Sequence, residues 1–337
     1  MIATVGQYAV VAAAQPSPAQ TAATRADALI RAKKYDAAKT FLESYLKVHP
    51  ADAEAHAMLG VTMAYLGDPI ASANAFDGAG ARLPDAFKGF AAKAYADAAV
   101  AAFKAKDANK SVAFASKGIR LERLPDAFFI RATAYVELGD YPHAIADFEQ
   151  AKAQATAAGD KAALLLLDTA LVRAYAFGGQ FDKSAALAAD VKKRDAANTR
   201  VDDILAEYFN ARATDALAAG KRDDAVALYE SGAVALPSRA VILYVAAASA
   251  LSNALFPDWK RVKAEADKAL AIDPLSPRAN YIAAVALESQ GDRLGALALV
   301  RKAKNNLTAG DAFEATVDGL IAKLEAPAVR VEVVPAK

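Results

Sequence analysis

The fold is decided by Phe128 to Ala151, which reads FFIRATAYVELGDYPHAIADFEQA. Small and large residues fall at fixed intervals in it: Phe128, Arg131, Ala132, Tyr135, Gly139, Ala144, Phe148 and Ala151. Apolar residues recur three and four apart on both sides of Gly139-Asp140, the spacing of two amphipathic helices joined by a short turn. The same spacing returns three more times. From His56 it runs Leu59, Gly60, Met63, Gly67, Ser72, Phe76 and Ala79. From Phe209 it runs Arg212, Ala213, Ala216, Gly220, Ala225, Tyr229 and Gly232. From Asn280 it runs Ala283, Ala284, Leu287, Gly291, Ala296, Val300 and Ala303. Pro50, Pro84, Pro125, Pro237 and Pro274 punctuate the chain at gaps of 34, 41, 112 and 37 residues, the third close to three periods of 37. Such a period marks an array of helix pairs, each burying its apolar face against the next.

The residue types have mechanical reasons. Gly67, Gly139, Gly220 and Gly291 supply the left-handed backbone at which a helix stops. Gly60, Ala132, Ala213 and Ala284 on the first helix, with Ala79, Ala151, Gly232 and Ala303 on the second, let two helices approach to about 8–10 Å. Phe76, Phe148 and Tyr229 fill the space between. Proline is expected to end each second helix. Weaker copies occupy the gaps. The first keeps Ala38, Leu42 and Tyr45; the third, over about 86–124, keeps Ser111, Ala115 and Gly118 but is stretched, with no glycine at its turn near Lys106-Asp107. The fifth keeps Leu171, Val172, Tyr175 and Gly179, and the seventh turns at Pro257-Asp258-Trp259.

Over roughly residues 20–308 this spacing resembles the tetratricopeptide repeat (TPR) family. The resemblance implies an all-α fold, a right-handed superhelical solenoid of about eight TPR-like helix pairs plus a C-terminal capping helix. The expected organisation is an apolar leader over 1–20, the array over 21–308, a capping helix over 309–325 and a flexible tail over 326–337. The cap is read from Phe313, Val317, Leu320, Ile321 and Leu324, an apolar stripe that shields the open end. In the tail, Val329 to Val334 alternates valine with Arg330 and Glu332, a strand-like pattern able to pair with a partner.

The wider composition agrees. The 337 residues include 91 alanines, the residue that loses least on entering a helix. Forty Lys and Arg against 39 Asp and Glu argue against a nucleic-acid partner, which needs a basic face. No apolar run reaches the ~20 residues of a membrane span. The absence of cysteine removes disulfides, thiolate metal sites and thiol nucleophiles. Residues 1–24 carry no charge, and Val5 to Ala14 is apolar with Ala12-Ala13-Ala14 before Gln15. This reads as a secretory signal, placing the chain in the periplasm or outside the cell; without a signal it would be cytoplasmic.

Chemistry is sparse. His49 and His56, with Asp52 between them, stand seven apart and lack the i, i+4 histidine pair of a zinc helix, and Gly78-Ala79-Gly80 lacks the Lys-Ser/Thr ending of a phosphate loop. No Gly-x-Ser-x-Gly elbow exists. The expectation is therefore a protein that is not an enzyme and has no catalytic residue, cofactor or metal. In the family, first helices line a concave groove. The inward positions implied here are Tyr65, Tyr95, Phe129, Thr133, Arg173, Phe177, Asn210, Tyr281 and Glu288, with Glu137, Thr169, Thr214, Leu251 and Val285 beside them. The family's carboxylate-clamping subset places Lys and Asn where this chain has Ala57 and Val61, so that mode is not expected. An aromatic, mildly polar groove suits a peptide or a partner protein. The alternatives are a carrier holding a hydrophobic small molecule or glycan inside the superhelix, and an accessory subunit of an envelope assembly or export machine.

Overall fold

A computed structural model describes residues 18–326, and every ordered element in that range is helical. The secretory signal expected over residues 1–14 and the strand-like Val329 to Val334 fall outside the described residues. Seventeen α-helices occur among the described residues. The first sixteen alternate as first and second helices of eight successive pairs: α1 (Pro18–Arg31) and α2 (Tyr35–Val48), α3 (Ala53–Tyr65) and α4 (Pro69–Ala79), α5 (Lys88–Lys104) and α6 (Ala108–Leu121), α7 (Pro125–Glu137) and α8 (Tyr141–Ala158). Then follow α9 (Lys161–Phe177) and α10 (Phe181–Arg194), α11 (Arg200–Ala218) and α12 (Arg222–Ala235), α13 (Ala240–Ser252) and α14 (Trp259–Ile272), α15 (Pro277–Ser289) and α16 (Arg293–Asn305). The seventeenth, α17 (Glu314–Glu325), stands alone after them. The eight pairs and the final helix match the architecture read from the repeat. The chain forms two compact units, Met1–Ala174 and Tyr175–Lys337, whose boundary falls inside α9.

Turn chemistry sets the boundaries. Gly67, Gly139, Gly179, Gly220 and Gly291 all take positive φ, as a helix stop requires. Where the first and third copies lack glycine, Lys33 (φ 57) and Lys106 (φ 62) adopt the same conformation. The aspartate that follows caps the second helix. Asp68, Asp107, Asp140 and Asp292 each accept the backbone N–H three residues on, worth roughly 1 kcal/mol apiece. Pro50, Pro237 and Pro274 follow two residues after the ends of the second helices α2, α12 and α14, as expected. Pro125 departs from expectation by opening α7, where proline's missing N–H costs nothing.

Packing follows the small-residue pattern. Ala132, Ala144 and Ala284 are wholly buried, and so are the large rings of Phe76 and Phe148. Gly60 lies so close under Phe76 that a methyl group there would meet the ring at 2.6 Å. The Ser72 hydroxyl donates to the Gly60 carbonyl at 2.7 Å, tying α4 to α3 at the point of closest approach. At the end of the array, Val317, Leu320 and Leu324 of α17 bury against Val300 and Ala303 of α16. The Arg293 guanidinium closes this end by donating to the Leu324 carbonyl at 2.7 Å and to Ala326. These are helix-end carbonyls with no partner inside the helix.

Candidate partner-binding surface

The first helices present their outward residues four apart, so each pair contributes a short line of side chains to one face. In the first unit that line includes Tyr65 on α3, Val100 and Lys104 on α5, and Phe129, Thr133 and Glu137 on α7. Tyr65 is 55% exposed and stacks flat on Tyr35 at 4.9 Å. Phe129 is half-buried with its edge toward Phe148, 5.7 Å between centroids. Thr133 is half-buried too, its hydroxyl turned back to the Phe129 carbonyl at 2.8 Å. Arg173 is half-buried on α9 and Thr169, one turn earlier, is buried.

Tyr95 is the exception. It is 5% exposed and packs with Ala57, Ala73 and Phe76. Its hydroxyl donates to Asp77 at 2.7 Å, and desolvation by burial, reinforced by that carboxylate, pushes the phenol well above its ordinary value. The third copy carries Lys106 where the regular copies have the turn glycine. Counting back from it puts Tyr95 at the packing position of Phe128, one residue away from the outward line. Leu251, buried on α13, is displaced from that line by the irregular turn of its copy.

In the second unit, Phe177 meets Tyr208 edge-on at 5.8 Å. Asn210 is exposed and its Oδ1 accepts the Tyr229 hydroxyl at 3.2 Å. Tyr281 is half-buried with its ring edge-on to Phe313 at 5.0 Å, and burial raises its phenol. Glu288 pairs with Lys323 of α17 at 2.8 Å. The end segment thus covers two residues read as groove positions. Sequence reasoning passed over Leu255 and Phe256, which stand 87% and 89% exposed in the loop between α13 and α14. Their only signal was the irregular turn.

The first unit holds an open cleft of about 520 Å³ lined by Phe103, Lys104, Lys106, Ala108 and Glu137. Of these only Glu137 was among the inward positions expected from the repeat. Phe103 is half-buried and forms the apolar wall, while both lysines and Glu137 are exposed. Neither lysine has an ion-pair partner among the described residues. The three histidines serve the scaffold. The His49 ring lies against Tyr45 at 4.5 Å, His56 Nε2 reaches the Pro50 carbonyl at 3.0 Å, and His143 Nδ1 reaches Asp140 at 2.7 Å.

No family model matches the chain, and no curated protein matches it. Among solved structures, the TPR2AB domain of yeast Sti1 in its pHSP90 complex is 17% identical, over 71% of this chain and 100% of that one, with a TM-score of 0.32. A tetratricopeptide repeat protein from Parabacteroides merdae is 13% identical over 91% and 98%, with a TM-score of 0.36. A TPR protein of Thermus thermophilus is 22% identical over 56% and 96%, with a TM-score of 0.27. Superpositions this loose add no weight; the assignment rests on the chain's own eight helix pairs and their spacing. On that basis the chain resembles the tetratricopeptide-repeat proteins.

Proposed function

We propose that this chain is a non-enzymatic protein-binding scaffold, and that the α5–α7 cleft anchors a segment of its partner. The observation that carries the proposal is the cleft itself: an open cleft lined by Phe103 together with Lys104 and Lys106, whose charges have no ion-pair partner among the described residues. An apolar side chain of the partner removes Phe103 from water, which supplies most of the affinity. The two lysines select acidic neighbours and speed encounter. Tyr65, Phe129 and Thr133 extend the contact along the same first-helix line. The uncharged leader supports work in the envelope after export, and N-terminal sequencing of the mature protein, expected to begin near Gln15, tests that part.

Peptides selected on the immobilised protein from a random display library test the whole reading. Enrichment of an apolar residue flanked by Asp or Glu is expected. Charge reversal of Lys104 and Lys106 to Glu should weaken the selected peptides at least tenfold, and added salt should weaken them as well. Both side chains are exposed, so the variant should melt as the parent does. Peptides that bind parent and variant equally would overturn the proposal, as would turnover of a substrate that is lost in Arg173→Ala.

A further inference from the structure

A second cleft, of about 330 Å³, lies between α4, α5 and α6, away from the lysine-flanked one. Its origin is legible in the chain. The segment Gly78-Ala79-Gly80-Ala81 carries nothing larger than a methyl group, and Gly80, at φ 55, ends α4 after 11 residues. The second helices of the other seven pairs run 13 to 18 residues. No atom lies within 4 Å of where a Gly80 side chain would begin, so the early stop leaves open space. Phe76, Leu83 and Leu121 form apolar walls.

The charges in the cleft are unbalanced. Asp77 is held by the Tyr95 hydroxyl at 2.7 Å and by Lys117 Nζ at 2.7 and 2.8 Å. Lys117 also faces the Tyr95 and Phe114 rings at 5.6 and 5.7 Å. That carboxylate and that ammonium cancel. Arg120, exposed at the rim, has no hydrogen bond or ion pair among the described residues, so one guanidinium charge is left over. Its planar fork matches a carboxylate. A phosphate dianion would carry more charge than Arg120 balances, and Asp77 beside it would repel the excess.

We propose that this cleft binds a small amphipathic carboxylate, its anion on Arg120 and its apolar body against Phe76, Leu83 and Leu121. The volume lies at the small end of ligand pockets, roughly 300–1,000 Å³. A free acid and the C-terminus of a peptide present the same group, so both are titrated into the full chain: 3-phenylpropanoate, and an acetylated tripeptide ending in phenylalanine. Isothermal titration should show at least one of them saturating with Kd below about 1 mM, and the tighter of the two names the source. The neutral amide of the bound acid, and the acid itself with Arg120→Gln, should each bind at least tenfold more weakly. Binding to the Lys104→Glu, Lys106→Glu variant should equal the parent's, which keeps this test separate from that of the scaffold. The proposal fails if neither acid saturates, if acid and amide bind alike, or if Arg120→Gln binds as the parent does.

Discussion

Replacing Gly232 by alanine tests whether small residues set the helix spacing or merely supply helix propensity. A methyl group on Gly232 of α12 would sit 2.8 Å from Phe209 Cγ, 2.9 Å from Cδ2 and 3.1 Å from Cβ. Carbon atoms in favourable contact lie about 3.5–4.0 Å apart. Rotating the ring does not relieve the overlap, because Cβ and Cγ do not move with χ2. Phe209 is itself buried and wedged between Phe181 at 5.2 Å and Tyr208 at 5.6 Å. The helices must therefore separate, at about 1–3 kcal/mol for an overpacked core site. Alanine returns about 1 kcal/mol of helix propensity, so the net expectation is a loss of about 1 kcal/mol. Gly319 on α17 is the control: it is exposed, and a methyl group there meets nothing within 4 Å. Gly319→Ala should keep the propensity gain and stabilise by about 0.5–1 kcal/mol. Both sites lie in the second unit, so urea unfolding followed by circular dichroism compares them directly. With an m-value near 2 kcal/mol/M, the Gly232→Ala midpoint should fall by about 0.5 M while that of Gly319→Ala rises. If the two variants shift together, Gly232 is not a spacing residue and the packing account is wrong.

Three further expectations rest on other features. Arg131 grips buried Asp147 through two hydrogen bonds of 2.7 and 2.8 Å and donates to Ser116 at 3.0 Å. Arg131→Ala should cost about 3 kcal/mol by stranding that carboxylate, whereas a urea midpoint within error of the parent would contradict it. Lys106→Gly should leave stability unchanged or raise it by up to ~1 kcal/mol, since relief of the left-handed backbone, about 1–2 kcal/mol, exceeds the added freedom of the unfolded chain; a clear loss in the same melt would show that the lysine side chain supports the turn. Burial pushes the Glu265 carboxyl above its ordinary 4.5, with Lys268 pulling it back. The folded chain then holds this proton more tightly than the unfolded one, so stability from Glu265 is greatest below 4.5 and falls as pH rises through the folded value. The stability of the parent minus that of Glu265→Gln should be largest in acid and smallest at neutral pH, and the reverse trend would refute the burial account.

How much of the chain was legible depended on whether a residue's role was local or shared between copies. Phe128, Ala132, Gly139 and Phe148 announce a helix pair because their spacing is imposed by packing that recurs, so the number of pairs and the final helix could be counted directly. Groove positions are read by offset from those residues, and the offset holds only where a copy is regular. Thr133 and Phe129 therefore stand on the outward line, whereas Tyr95 is buried against Phe76. The loss of Tyr281 and Glu288 to Phe313 and Lys323 has a different cause. Both are outward on their own helix, but the segment that closes the array folds over them, a tertiary event without a sequence period. Asp68, Asp107 and Asp140 were visible beside the turns, and their capping of the second helices follows from turn chemistry once the turn is placed.

Irregularity is itself informative in a chain this alanine-rich. An array of identical copies presents the same small side chains at every layer, and a surface of that kind has little with which to distinguish ligands. The clefts on either side of α5 arise where the third copy departs from the pattern. On one side its turn uses Lys106 in place of glycine and brings Lys104, Lys106 and Phe103 around an opening. On the other, the chain entering it stops α4 early and passes through two short 3-10 turns, Gly80–Arg82 and Asp85–Phe87, before α5 begins. α5 runs 17 residues against 13 in α3 and α7, so the layer is stretched on both flanks. Restoring the pattern should then remove recognition without removing the fold. A chain carrying Lys104→Ala and Lys106→Gly should lose the selected acidic peptides at least tenfold while melting within about 1 kcal/mol of the parent. If that regularised third copy binds as well as the natural one, its departures are tolerated drift, and recognition belongs to the regular first-helix line through Phe129 and Thr133.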